Sequence, residues 1–164
     1  MENTGQNGGK ADADIGVMRA WEITTGSPQV TVAVFDTGID YTHPDLIQNL
    51  WVNEGEIPNN GRDDDRNGYI DDVHGWNYCA GNGDVRDDHM HGTHVSGTIG
   101  AVGGNRRGVV GVSPNVKIMT LKILGGDNGC DSNGLIDTKR ALKYAADNGA
   151  SIMNHSWGCA NPGT

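Results

Sequence analysis

Asp36 follows directly on Val30-Thr31-Val32-Ala33-Val34-Phe35, a β-branched and almost continuously apolar run. Such a run reads as a strand buried on both faces of a parallel sheet, and ligands approach such sheets at the carboxyl ends of their strands. Taken alone, Asp36 fits a turn carboxylate as well as a catalytic one. A second Asp-Thr-Gly loop, which a catalytic aspartate pair would require, is absent. The next cluster is His89-Met90-His91-Gly92-Thr93-His94. His91 and His94 are spaced to share a helix face and could bind a metal, although the glutamate of HExxH is missing. At a helix start the dipole disfavours an imidazolium, so a general base there needs a carboxylate to orient and stabilise it, and Asp36 is the candidate. A third group is metal chemistry. Asp63-x-Asp65-x-Asn67-Gly68-Tyr69-Ile70-Asp71 places side-chain oxygens at the first, third, fifth and ninth positions of a calcium loop, with a glycine for the turn and the Tyr69 carbonyl after it. His74 stands where the loop's bidentate glutamate belongs, so another group such as Asp72 must complete the shell. Magnesium is the alternative ion, and a solvated acidic loop is the bland alternative.

The elements that must position these residues follow a parallel α/β pattern. The chain has 164 residues, one domain or a piece of a larger one. Its 26 glycines and 5 prolines fall short of a low-complexity composition. A net charge of −9 makes nucleic acid and anionic membranes poor partners and divalent cations good ones. No apolar run is long enough for a membrane helix, and the stretch after Met1 is polar where a signal peptide would be apolar. Cys79, Cys130 and Cys159 lack the spacing of a zinc ribbon and leave the redox compartment open. A short helix is expected over 15–21, strands over 30–35, 116–124 and 150–155, and helices over 92–102 and from Ser132 or Asn133 to Asn148-Gly149. Gly97 and Gly100 inside the first long helix imply close packing. The stretch 53–90 lacks periodicity and is long for a loop without an ordering ligand.

VAVFDTGIDYTHPDL (32–46) and HGTHVSGTIGA (91–101) resemble the aspartate and histidine motifs of the subtilisin-like serine proteases. GVVGVSPNVKIMTLKIL (108–124) and IMNHSWG (152–158) follow in that family's order. The resemblance implies a three-layer α/β fold around a parallel sheet, truncated after the substrate-pocket strand. It implies a serine endopeptidase in which Asp36 orients His91 as general base. It also places the nucleophilic serine and the oxyanion asparagine beyond Thr164, so that residues 1–164 form the N-terminal part of a catalytic domain and are inactive alone. His94 becomes a packed helix residue. Ser156, Trp157 and Gly158 become one wall of the specificity pocket and the 126–132 loop with Gly129 the opposite edge, a polypeptide substrate lying between them as an added strand.

Related proteases often carry a comparable acidic calcium loop. A second calcium site is implied by Asp14, Asp45 and the 102–108 loop with Asn105, although Arg106 and Arg107 count against it and Asp45 serves equally as a helix cap after Pro44. The resemblance implies secretion and leaves the oligomeric state open. The alternative is a catalytically dead calcium- or peptide-binding remnant of the same fold. In either case the sheet edge at 150–155, Ile152 and the Leu135–Ala145 helix stripe await layers that a complete domain would add.

Overall fold

The computed structural model describes residues 3–125 and 134–158, with the side chains of 134–137 excepted. Strand β1 (Thr31–Asp36) is buried at all six positions, as an apolar run without a polar face requires. It lies inside a four-stranded parallel sheet with β2 (Gly75–Asn77), β3 (Lys117–Lys122) and β4 (Ile152–Asn154), in the order β2-β3-β1-β4. The short helix α1 (Val17–Trp21) precedes β1. Helix α2 (His91–Gly100) separates β2 from β3, and α3 (Gly134–Asp147) separates β3 from β4.

The alternation of side chains along β1 builds two cores. Val32 and Val34 face a layer containing Ile39, Leu46, Leu50, Val85 and Ile118, against which Val95 and Ile99 of α2 pack. Ala33 and Phe35 face the other way, onto Met119, Leu121 and the Ala141, Tyr144 and Ala145 side of α3. The result is a helix–sheet–helix sandwich.

Of the two glycines expected to pack closely in α2, one does. A Cβ on Gly100 would meet Ile118 Cδ1 at 3.1 Å, whereas the space around Gly97 is open. Helix α3 ends at left-handed Gly149, where the Ala150 N–H reaches the Ala145 carbonyl at 2.9 Å. Its Tyr144 is buried beside Ala141 and Ala145, so this part of the stripe already has partners. Ile152 on the edge strand is 53 % exposed.

Strand β2 lies within 53–90, where the sequence pattern predicts none. It forms because the Thr120 N–H donates to the His74 carbonyl and the Tyr78 N–H to the Lys122 carbonyl. Its outer edge is closed by its own loop, with the Asn77 N–H bonded to the Asn82 carbonyl. Cys79 is disulfide-bonded; Cys130 and Cys159 lie outside the described residues. Among the described residues, no helix is long and apolar enough to cross a membrane.

Candidate active site

Asp36 is the last residue of β1 and is fully buried. Its Oδ1 accepts the Thr37 N–H at 2.7 Å and lies 2.7 Å from Nδ1 of His91, the first residue of α2. Since a carboxylate only accepts, Nδ1 carries the proton of this bond, and in the neutral ring Nε2 is then the nitrogen with the lone pair. The His91 side chain is 44 % exposed, so that nitrogen can meet a ligand while the carboxylate stays dry. Asp36 Oδ2 is buried without a partner among the described residues.

The pairing needs α2 to start almost against the turn after β1. Gly92 makes this possible, because a Cβ there would lie 2.1 Å from the Gly38 carbonyl oxygen and 3.2 Å from Asp36 Cβ. The Gly92 N–H donates to Thr37 Oγ1 at 2.9 Å. The helix's preceding residue, Met90, is left-handed (φ 75°) and supplies no side-chain cap. Asp87 caps instead. Its carboxylate accepts the backbone N–H groups of His89, Met90 and Thr93 at 2.8–3.0 Å, together with the hydroxyls of Thr93 and Thr37. Burial, the largest influence, pushes the Asp87 carboxyl up, but the Thr93 hydroxyl, the N–H groups of His89 and Thr93 and the Thr37 hydroxyl together hold it below the usual range. Buried Lys122 fastens the same turn, donating to the carbonyls of Thr37 (2.7 Å) and Arg86 (2.9 Å) and to Asp88 Oδ1 (2.8 Å).

Asp87 and Lys122 escape a sequence reading, which counts the first as surface charge and the second as an ordinary strand lysine. An acidic residue a few positions ahead of a helix start is the signal that could have found Asp87. His94 is exposed rather than packed, and it lines a groove with His43, His89, Met90 and His91.

Beyond β4 the chain passes the end of β1. Ser156 accepts an N–H of the Asn154 side chain at 2.9 Å, and Trp157 is 40 % exposed. Gly129 lies outside the described residues. No described serine hydrogen-bonds to His91.

The acidic loop gathers Asp65 of the linear pattern and Asp72, the group expected to complete the shell, together with Glu56, which the pattern omits. Carboxylates of Glu56, Asp65 and Asp72 lie within 4.8 Å of one another. The side-chain amides of Asn53 and Asn67 each donate to both Asp65 and Asp72 at 2.9–3.0 Å, and the hydroxyl of Tyr144 donates to Asp72 Oδ2. Burial and then the bond to Asp72 push the Tyr144 hydroxyl far above its ordinary range, so it remains a donor. Asp63 accepts the N–H groups of Asn67 and Gly68 and Asp71 those of Asn60 and Gly61, both outside the cluster, while Glu56 accepts those of Asp64, Asp65 and Asp71 within it. The Tyr69 ring packs edge-on against Trp76 and Tyr144. Three hard carboxylates within 4.8 Å of one another are a donor set suited to a divalent cation. Elsewhere, Asn105 donates to buried Asp45 at 2.6 Å, and this bond, followed by the Val109 N–H, lowers the Asp45 carboxyl below its ordinary value. Asp14 instead binds within the N-terminal arm, accepting the N–H groups of Asn3 and Gly16.

Comparison with known proteins bears on the family and the fold. A model of the Subtilase family matches residues 27–164. Subtilisin-like protease 1 of Plasmodium berghei (strain Anka) is 53% identical over 137 residues, covering 82% of this chain and 22% of that protein. The Thermophilic serine proteinase of Bacillus sp. (strain AK1) is 36% identical over 143 residues, covering 85% of this chain and 29% of its own length. Among solved structures, fervidolysin from Fervidobacterium pennivorans, described as a keratinolytic enzyme related to subtilisin, matches with a TM-score of 0.57 and 31% identity. That match covers 87% of this chain and 19% of the fervidolysin chain. The chain thus spans less than a third of each of these proteins.

Proposed function

The chain belongs to the subtilase family, and we propose that it carries the Asp36–His91 half of a serine endopeptidase centre whose nucleophile comes from residues beyond 164. The observation that carries this reading is the 2.7 Å contact between His91 Nδ1 and the buried Asp36 carboxylate at the mouth of the sheet. In such a centre Nε2 takes the proton of the attacking serine hydroxyl and later delivers it to the leaving amine, while the carboxylate holds the ring's tautomer and stabilises its charged form. The capping of α2 by Asp87 and the anchoring of the turn by Lys122 support it, because proximity counts only when the base is held in place. An intact, oriented dyad serves no purpose in a remnant that merely binds.

The substrate is a polypeptide, laid in extended form between Ser156-Trp157-Gly158 and the loop containing Gly129. Calcium is held by Asp65 and Asn67 of the expected loop together with Glu56 and Asp72; Asp63, the Tyr69 carbonyl and Asp71 buttress that shell. When bound, the ion cross-links the loop and offsets its gathered negative charge. Asp45 and Asn105 form the core of a second site; Asp14, bonded within the N-terminal arm, is the third ligand proposed for it. The disulfide at Cys79 is consistent with an extracellular location, and nothing in the charge distribution favours nucleic acid or an anionic membrane.

The test compares the 164-residue chain with the protein extended through its downstream sequence, on a fluorescence-quenched peptide. The extended protein hydrolyses it, His91→Ala and Asp36→Ala each lower kcat by orders of magnitude, and the 164-residue chain is inactive. Hydrolysis that survives His91→Ala refutes the proposal.

A further inference from the structure

Strand β4 is three residues long, and its ladder with β1 ends at Val34↔Asn154. The segment proposed above to pair with substrate begins two residues later, so something other than that ladder must fix it. Side chains supply the hold. The His155 ring stacks on Phe35 with centroids 4.3 Å apart and planes inclined by 27°. Trp157 then packs edge-on against His155 at 5.6 Å and 74°. On the opposite side of the chain, Asn154 donates to Ser156 at 2.9 Å. His155 and Trp157 toward Phe35, with Asn154 and Ser156 paired away from it, is the two-residue alternation of an extended backbone. The segment is therefore strand-like past the point where its ladder ends.

Phe35 is fully buried and immediately precedes Asp36. A column of three rings thus runs from the core beside the dyad to exposed Trp157. We propose that His155 is a positioning residue: its ring clamps Ser156-Trp157-Gly158 to β1 and holds that backbone extended for a substrate strand to join. The role belongs to the flat face of the ring, which offset stacking uses, rather than to proton transfer. The proposal rests on the reading of Ser156–Gly158 as the substrate-pairing segment. An edge that is already extended binds a peptide without first ordering itself, so loss of the clamp appears in substrate binding.

The experiment uses the catalytically complete protein and a fluorescence-quenched octapeptide that it cleaves, chosen from a casein digest. His155→Ala raises KM about tenfold, the equivalent of one aromatic contact, while kcat falls less than about twofold. His155→Phe keeps a stacking ring without the imidazole and restores KM to near the parent value. Trp157→Leu raises KM in the same way, and the double variant His155→Ala/Trp157→Leu is no worse than either single one. An unchanged KM in His155→Ala, or a His155→Phe variant as impaired as the alanine one, overturns the proposal. The underlying reading is tested separately in the parent protein by methylating successive backbone nitrogens of the peptide. Binding lost at one nitrogen upholds strand pairing whatever the His155 variants do, and binding indifferent to every methyl group overturns the pairing itself.

Discussion

Replacing Asp87 with alanine probes the reasoning about the candidate site most directly, because the residue touches neither member of the dyad yet joins the elements that carry them. The change removes the acceptor of three backbone N–H groups at the start of α2 and of the Thr37 hydroxyl in the turn after β1. A charge-assisted hydrogen bond is worth roughly 1.5–3 kcal/mol when broken and a helix cap about 1 kcal/mol, and water recovers part of this at a half-exposed site. A loss of about 3 kcal/mol follows, which lowers Tm by roughly 6–12 °C in a domain of this size. Asp87→Asn keeps an acceptor oxygen but loses the charge that favours a helix N-terminus, an effect of about 1 kcal/mol at near-neutral pH. The pH dependence separates the two variants. The folded carboxyl is held below its ordinary value, so the stability it contributes is fully present above the unfolded value of about 3.9 and is lost as pH falls through the lowered folded value. The gap in urea midpoint between the parent and Asp87→Asn therefore narrows as the pH is taken down through that window. An alanine variant with an unchanged midpoint, or an asparagine gap that does not vary with pH, refutes the argument.

Gly92→Ala places a methyl group against the Gly38 carbonyl. It should therefore destabilise despite alanine's helix preference of about 1 kcal/mol over glycine, and calorimetry gives the sign. Chelation at an initial calcium concentration of about 100 times Kd removes roughly 2.7 kcal/mol and lowers Tm by several degrees, as thermal melts with and without chelator will show. In titration calorimetry Asp65→Ala and Asp72→Ala abolish calcium binding at the acidic loop, whereas Asp71→Asn weakens it less, since that carboxylate is occupied by the Asn60 and Gly61 amides. Lys122→Met frees the carbonyls of Thr37 and Arg86 in a buried site and should cost about 2 kcal/mol, read as a shift in urea midpoint.

The sequence by itself determines what is local. An apolar run ending in Asp36, a helix opening at His91 and a capped amphipathic helix ending at Gly149 each depend on a few neighbouring residues, and their periodicity survives in one dimension. The family, too, is legible in short motifs. What the linear pattern cannot contain is which distant groups meet. The spacing of Asp63, Asp65, Asn67 and Asp71 announces a calcium loop, yet left-handed turns at Arg66 (φ 62°), Gly68 (φ 96°) and Asp71 (φ 54°) redirect the chain. The carboxylates that converge are those of Glu56, Asp65 and Asp72, with Tyr144 arriving from α3, which packs on the same face of the sheet as the loop's Tyr69. Strand β2 is equally invisible in Gly75-Trp76-Asn77, since all three of its residues take their parallel partners from distant β3. Asp87 and Lys122 look like ordinary charges until the fold brings the turn after β1 against the start of α2. A residue's type states which bonds it can make, but only the packing of sheet and helices decides which partners are within 3 Å, and burial then makes those bonds costly to leave unmade.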